Sequence, residues 1–430
     1  MSKSRTRHLF LARRILFALL ICGLFFAAAS LVLKLLEKKK LIRTERPDDR
    51  VAYLSPDAFV EERTAQGVVV HFADEYMIKY SFSKKKPPNT FRLFVTGSSF
   101  AMGTPYVYQR GQANRYGFGG IADWVQAELE ARYPSRRIEI INAAVNGQNS
   151  TRVAEIVKYL VEYEPDAIFV ATGNNEGFVP GTPFNQELHQ WVLYRLLKRA
   201  LLKAPRLEER SYFTPQDPNV QSIQRNFEKN IRSIIGLTQA KHIPLLLATM
   251  PINLQWDFPR DQIKPPLEDD PHLTAGRRLL ADGKYRDAIA EFNQSARQDF
   301  AAKFIGECFE ALGDFKTARN FYLIHVQLHP GTRTRPSFDA FVREAAKTEG
   351  VHLVDLAQMA EDNSPHGIPG SNLFVDYCHF KWTAYYLAAQ ELIKQLLGLD
   401  LIHGAADEPL APPTLEQIIA RKNWKLPPLE

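Results

Sequence analysis

Leu93-Phe94-Val95-Thr96-Gly97-Ser98-Ser99-Phe100-Ala101-Met102-Gly103 is an apolar run that stops in a glycine turn. An unbroken run of this kind reads as a strand buried on both faces, which is how parallel sheets are written. A hydroxyl at the carboxyl end of such a strand stands where open α/β sheets place chemistry. Alone, Gly-Ser-Ser after a strand is a turn or a helix cap. Its weight comes from three groups far downstream: Gly147, Gly173-Asn174-Asn175, and Asp376-Tyr377-Cys378-His379. Together they can supply a nucleophile, a base, an orienting acid and oxyanion donors.

Outward from Arg92–Thr96 the chain alternates strand and helix. Ile121–Tyr133 reads as a helix with Ile121, Trp124, Val125 and Leu129 on one face, Ile138–Asn142 as a strand, and Thr151–Tyr163 as a helix opened by Asn149-Ser150. Ala167–Ala171, Ile243–Thr249 and Val351–Leu356 complete five strands. Strands separated by helices argue for an α/β chain with a parallel, doubly wound sheet. Two stretches interrupt the pattern. Residues 178–240 are helix-rich and read as a lid or wall. Residues 273–330 carry a short repeat, in which Gly283-Lys284-Tyr285-Arg286-Asp287-Ala288 returns as Gly313-Asp314-Phe315-Lys316-Thr317-Ala318 after 30 residues. Glycine for the turn, an aromatic packed into it and alanine for close helix contact resemble tetratricopeptide repeats, at a shorter spacing and in about two copies.

The net charge of +6 is misleading, because residues 1–46 hold 11 of the 54 Lys and Arg and only 2 of the 48 Asp and Glu. The rest of the chain is acidic and shows no basic stripe with interleaved aromatics, which argues against a nucleic-acid partner. Ile15–Leu33 is 19 residues without a charge, long enough to span a hydrocarbon core of about 30 Å as a helix. It runs past the small residues Ala27-Ala28-Ala29 and reads as an uncleaved anchor. The division expected is 1–14 basic flank, 15–33 transmembrane helix, 34–90 juxtamembrane segment with strand content at Gly67–Phe72, 91–265 and 334–400 the two parts of a catalytic domain, 266–333 a helical insertion, and 401–430 a proline-rich tail over the surface.

Ester cleavage needs a serine whose proton a base removes, a carboxylate that holds the base in one tautomer, and donors for the oxyanion. In Asp376-x-x-His379 acid and base share one tight loop. At these residues the chain resembles the SGNH, or GDSL-type, hydrolase superfamily. Gly97-Ser98-Ser99 resembles its nucleophile block, Asn142-Ala143-Ala144-Val145-Asn146-Gly147 its second block, Gly173-Asn174-Asn175-Glu176 its Gly-x-Asn block, and Asp376 with His379 its closing Asp-x-x-His. The resemblance covers about residues 91–400 without the insertions. It implies a flavodoxin-like three-layer α/β/α fold, Ser99, His379 and Asp376 as a catalytic triad, and Ser99 N–H, Gly147 N–H and the Asn175 amide as the oxyanion hole. Ser98 stands where the family usually has Asp, and Glu176 where Asp is common. Gly-x-Asn-Glu together with a helical repeat is similar to bacterial, membrane-attached members, which implies a body on the extracytoplasmic side of an inner membrane.

Other residues read as structural. The three cysteines write no disulfide framework or metal site, and Cys378 reads as an apolar filler. His325 and His329 have metal-ligand spacing, but no Glu follows His325 and Pro330 ends the helix, so both read as a surface helix end. Asp355 ends a strand without a nearby His. Gly117-Phe118-Gly119-Gly120 lacks the strand and third glycine of a phosphate loop. No metal or organic cofactor is implied. The expected function is a membrane-anchored serine esterase on an acyl ester of a small molecule, lipid or envelope glycan. The alternatives are an O-acyltransferase or deacetylase of envelope glycans with the same triad, and a decayed scaffold that binds a protein through 273–330.

Overall fold

A computed structural model describes residues 58–74, 77–107, 118–176, 191–201, 218–257, 266–328, 333–402 and 409–426, with Tyr116, Leu188 and parts of 17–42. The chain divides into two compact units, Met1–Pro56 with Gly181–Arg206, and Asp57–Pro180 with Leu207–Glu430. In the first, residues 25–37 are helical and Glu37 pairs with Arg195 of the helix Val192–Leu201. Among the described residues no helix is long and apolar enough to cross a membrane. Ile15, Leu16, Leu19, Cys22 and Leu24 of the expected span lie outside them.

The second unit is built on a parallel sheet. After a small antiparallel sheet of β1 (Phe59–Thr64), β2 (Gly67–Phe72) and β3 (Ser81–Ser83), the central strands are β4 (Thr90–Gly97), β5 (Arg137–Asn142), β6 (Ala167–Ala171), β7 (Leu245–Ala248) and β8 (His352–Val354). Their order is β5-β4-β6-β7-β8, every pair parallel, the flavodoxin-like arrangement. All of β4 and β6 is buried, as their unbroken apolar runs require. Alternation of side chains along β4 separates two layers. Phe91, Leu93 and Val95 share a core with helices α1 (Ile121–Arg132) and Trp382–Gly398. Phe94 faces the other way, toward Phe82 and Tyr163, at ring distances of 5.5 and 6.5 Å. On that side α2 (Ser150–Leu160) packs with α3 (Pro218–Ala240). The last part of 178–240 is therefore a flanking helix with Phe227, Ile231 and Ile234 buried, not a lid; 177–187, 189–190 and 202–217 lie outside the described residues.

Three segments carry more structure than the sequence suggests. The first is the antiparallel sheet inside 34–90. It is tied to the core by Arg92, which is fully buried: Nη2 donates to Ser83 O at 2.9 Å, Nη1 to Tyr163 O at 2.7 Å and Nε to Glu139 at 2.9 Å. Arg152 pairs with Asp74 just beyond β2, both buried. Removing one partner of such a pair strands a buried charge at about 3–5 kcal/mol. The second is the tail, where Thr414 and Gln417 form a capping box for a helix at Leu415–Lys422. Beyond it Trp424 stacks on Phe118 at 4.6 Å and meets Trp124 edge-on at 4.8 Å.

The third is the insertion, which forms two helical hairpins, α4 (Pro271–Ala281) with α5 (Tyr285–Phe292) and α6 (Gln298–Ala311) with α7 (Phe315–Leu328). Their contacts repeat in the 30-residue register. A Cβ on Gly276 would lie 2.5 Å from the Phe292 ring, and one on Gly306 2.7 Å from the Tyr322 ring. Ala288 and Ala318 are fully buried at equivalent places. The first hairpin closes a core with α6, around Leu273, Phe292, Phe300 and Ile305. The second packs Ala318, Tyr322 and Val326 on Ile252 and Leu254, just past β7. Helix α8 (Pro336–Thr348) then leads to β8.

Gly97 closes β4 at φ 148° opposite Ala171, and a Cβ there would lie 1.9 Å from Ala171 O. Gly97→Ala combines backbone strain with a clash that only backbone movement relieves. Its expected cost is about 3 kcal/mol, read as a lowered urea midpoint with unchanged m-value.

Candidate active site

Beyond Gly97, Ser98 is extended and buried, and Ser99 opens a single helical turn, Ser99–Met102, that ends at Gly103. Ser99 Oγ lies 2.8 Å from His379 Nε2, and His379 Nδ1 lies 2.7 Å from Asp376 Oδ2. The carboxylate on Nδ1 selects the tautomer with its hydrogen there, which leaves Nε2 to accept the serine proton. The other oxygen, Oδ1, accepts the backbone N–H groups of Cys378 at 2.9 Å and His379 at 2.8 Å. Asp376 therefore shapes the loop and orients the ring at once.

Apolar contacts hold the two halves together. Phe100, next to Ser99, meets Phe380, next to His379, at a ring distance of 5.0 Å, and both are fully buried. Burying a side chain of this size is worth about 2–3 kcal/mol. The helix Trp382–Gly398 adds two hydrogen bonds to the segment after Ser99. Tyr106 Oη accepts from Trp382 N at 3.1 Å, and Tyr385 Oη donates to Thr104 O at 2.9 Å.

Burial opposes the His379 imidazolium, but the Cys378 sulfur and the Asp376 carboxylate outweigh it and raise the ring above its ordinary value. Burial likewise opposes the Asp376 charge. Hydrogen bonds from His379 and from the backbone of Cys378 and His379 prevail and hold it below the usual carboxylate range. Asp376, Cys378 and His379 also place ligand atoms within 4.8 Å of one another. Both ring nitrogens are already engaged, so an ion there would have to displace Asp376 or Ser99 from the ring.

Gly147 and Asn175 stand beyond the ends of β5 and β6, the two neighbours of β4. The ends of β4 and β5 are stitched by Val145 N to Gly97 O at 3.0 Å and by Asn142 Nδ2 to Met102 O at 3.1 Å. Asn175 sits at φ 68° and gives one Nδ2 hydrogen to Gln148 O at 3.2 Å, which leaves the second for a ligand. Behind it Glu176 is a strut: Oε1 accepts Ser150 N at 2.6 Å and Oε2 the Ser150 hydroxyl at 2.8 Å. Complete burial pushes its carboxyl up to about 7, against those hydrogen bonds and the Arg335 charge.

Sequence reading missed some of these supports. Asn253 donates Nδ2 to Asp376 O at 2.9 Å, and Thr334 N donates to Asn174 Oδ1 at 2.8 Å. A signal for Asn253 existed, since it lies just past the carboxyl end of a parallel strand. His325 requires a correction. It is not at a surface but fully buried, between Asp299 O at 2.7 Å and Arg333 Nη2 at 3.0 Å. The helix-end reading assumed solvent on the face that the chain after the hairpin covers. His329, Gly117 and Cys22 lie outside the described residues. Asp355 is held by Arg343 at 2.8 Å and caps the helix Leu356–Asp362.

No family model matches the chain, and no curated protein matches it in sequence. Among solved structures it is similar to a GDSL-like lipase of Bacteroides thetaiotaomicron, at 10% identity over 72% of this chain and 88% of that one, with a TM-score of 0.35. It is also similar to an acetylxylan esterase of Geobacillus stearothermophilus, at 13% identity over 71% of this chain and 94% of that one, TM-score 0.35. At these scores the likeness carries no chemistry, which rests on the residues of this chain.

Because His379 can accept a proton only when neutral, a raised pKa keeps it inactive to higher pH. The rate at which a fluorophosphonate labels Ser99 is expected to rise with pH through a midpoint above 6.5, the ordinary imidazole value. Asp376→Asn should lower both midpoint and rate. A wild-type midpoint at or below the ordinary value would contradict the arrangement.

Proposed function

We propose that the chain is a membrane-anchored serine esterase acting on an acyl ester. The observation that carries this is the unbroken hydrogen-bonded line from Asp376 through His379 to Ser99. As Ser99 Oγ attacks the acyl carbon, His379 Nε2 takes its proton and the carbonyl electron pair moves onto oxygen. Ser99 N–H, Gly147 N–H and the second Asn175 Nδ2 hydrogen meet that oxyanion; one such donor is worth roughly 3–4 kcal/mol. Collapse breaks the ester C–O bond, and the leaving alcohol takes the proton from His379. Water then adds to the acyl-enzyme with His379 again as base, releasing the acid and restoring Ser99. Asp376 stays charged throughout and holds Nδ1–H in place.

The anchor is residues 15–33. Phe17, Leu20, Phe25 and Leu31 are more than half exposed, and the stretch lies between Arg13-Arg14 and Lys38-Lys39-Lys40. Side chains this apolar favour lipid over water. With the body on the extracytoplasmic side of a bacterial inner membrane, an acylated envelope glycan, a lipid or a small ester is within reach.

The test uses the full chain in detergent micelles. A fluorophosphonate should label wild type and not Ser99→Ala, and turnover of p-nitrophenyl acetate should fall at least about 1,000-fold in Ser99→Ala and His379→Gln. Equal labelling of wild type and Ser99→Ala sinks the assignment of Ser99. A wild type that neither labels nor turns over is a scaffold with a decayed site. Acyl-glycan forming faster than free acid, when a polysaccharide acceptor is added, identifies a transferase.

A further inference from the structure

His325 lies on the second hairpin, yet its hydrogen bonds lead to the active site. Its Nδ1–H donates to Asp299 O at 2.7 Å, so Nε2 is an acceptor, and Arg333 Nη2 donates to it at 3.0 Å. Burial, with the Arg333 charge beside it, holds His325 well below the ordinary imidazole value, which keeps that acceptor available. Arg333 Nη1 donates to Asn253 O at 3.1 Å, and Asn253 Nδ2 donates to Asp376 O at 2.9 Å. Asp376 carries the carboxylate that orients His379. His325, Arg333 and Asn253 are all buried.

The next residue serves the opposite side. Thr334 N donates to Asn174 Oδ1 at 2.8 Å, and Thr334 Oγ1 lies 2.7 Å from where a Cβ on Gly173 would stand. Arg335 follows, with its charge acting on Glu176. Three consecutive residues leaving the hairpins thus bear on the support of the acid–base loop, the loop carrying Asn175, and the strut behind that loop.

We infer that Arg333 and Thr334 are positioning residues, through which the helical hairpins hold the acid–base loop and the Asn175 loop in register with Ser99. The kinetic consequence rests on the esterase reading; the geometric one does not. Truncating Arg333 leaves two buried acceptors, Asn253 O and His325 Nε2, without that donor. The loop carrying Asp376 then relaxes, and a displacement of about 1 Å at reacting groups costs on the order of 100-fold in rate.

The experiment compares the full-length wild type in micelles with Arg333→Met, Arg333→Lys, Asn253→Ala and the Arg333→Met/Asn253→Ala double variant. Turnover of p-nitrophenyl acetate gives kcat and KM. Histidine-selective ¹⁵N NMR follows the Nδ1–H proton of His379, assigned by its loss in His379→Gln, and needs no turnover. The expected result is a kcat lowered about 10- to 100-fold in Arg333→Met and in Asn253→Ala with KM nearly unchanged. The double variant should be no worse than the worse single one. The His379 proton should shift or broaden, and Arg333→Lys should recover part of both effects. The inference is overturned if Arg333→Met melts earlier yet keeps its kcat and an unmoved His379 proton, or if the two losses multiply. If wild type shows no Ser99-dependent turnover, the esterase reading falls alone, and an unmoved His379 proton in Arg333→Met still overturns the positioning role. If Arg333→Met does not fold, Arg333→Lys and Asn253→Ala are read on the same two measurements.

Discussion

One hydrogen bond, from Ser99 to His379, joins residues 280 positions apart. Nothing local brings them together, so the fold has to. Ser99 follows a central strand, β4, whereas the Asp376 loop follows the whole β8 region and its helix. The gap is closed beneath the polar line by Phe100 on Phe380 and by the tyrosines that tie the Trp382–Gly398 helix to the segment after Ser99. The pattern separates the forces sensibly. Water-excluding contacts, which are strong and non-directional, set the distance. Hydrogen bonds within the Asp376 loop, which are weaker but directional, set the angle.

What was legible in the sequence follows the same division. β4, β6 and the first flanking helices could be placed from apolar runs and one-faced periodicity, because those patterns are local. Ser99, Asp376 and His379 could be named only as a set, because Gly97-Ser98-Ser99 takes its weight from Asp376-x-x-His379 far downstream. β1 was missed because nearly all of its residues face solvent or its rim, so it has no apolar alternation to read. Its sheet is held by Arg92 and Arg152, and a buried arginine looks in sequence like any other. His325 was misplaced for a related reason. Its partners are a carbonyl on α6 and a guanidinium beyond the helix end, and neither is visible from i, i+4 spacing.

The supports of the site show why a polar side chain deep in an α/β protein is seldom idle. Glu176, Asn253 and Asn174 each meet backbone groups of a neighbouring loop, so each converts one loop's position into a constraint on the next. A buried carboxyl raised to about 7 is a costly strut compared with an amide. What it gains is a two-oxygen grip on the first residue of α2, where the unpaired N–H groups of a helix start favour negative charge. The loop carrying Asn175 is thereby fastened to a helix rather than left on a free turn.

The two hairpins bear on the history of the chain. Thirty residues before His325 lies Ser295, whose hydroxyl donates to Asp270 within its own hairpin. Both copies use that position within their own hairpin, and the second also uses it to accept from Arg333 and, through it, to reach Asn253. Copies of one unit have thus taken different employment according to what each happened to touch. A relative without the hairpins has to satisfy the Asn253 carbonyl and the Asn174 amide by other means. Positions 174, 253, 325, 333 and 334 should therefore be inherited as a set, kept together where the hairpins are kept and replaced together where they are gone.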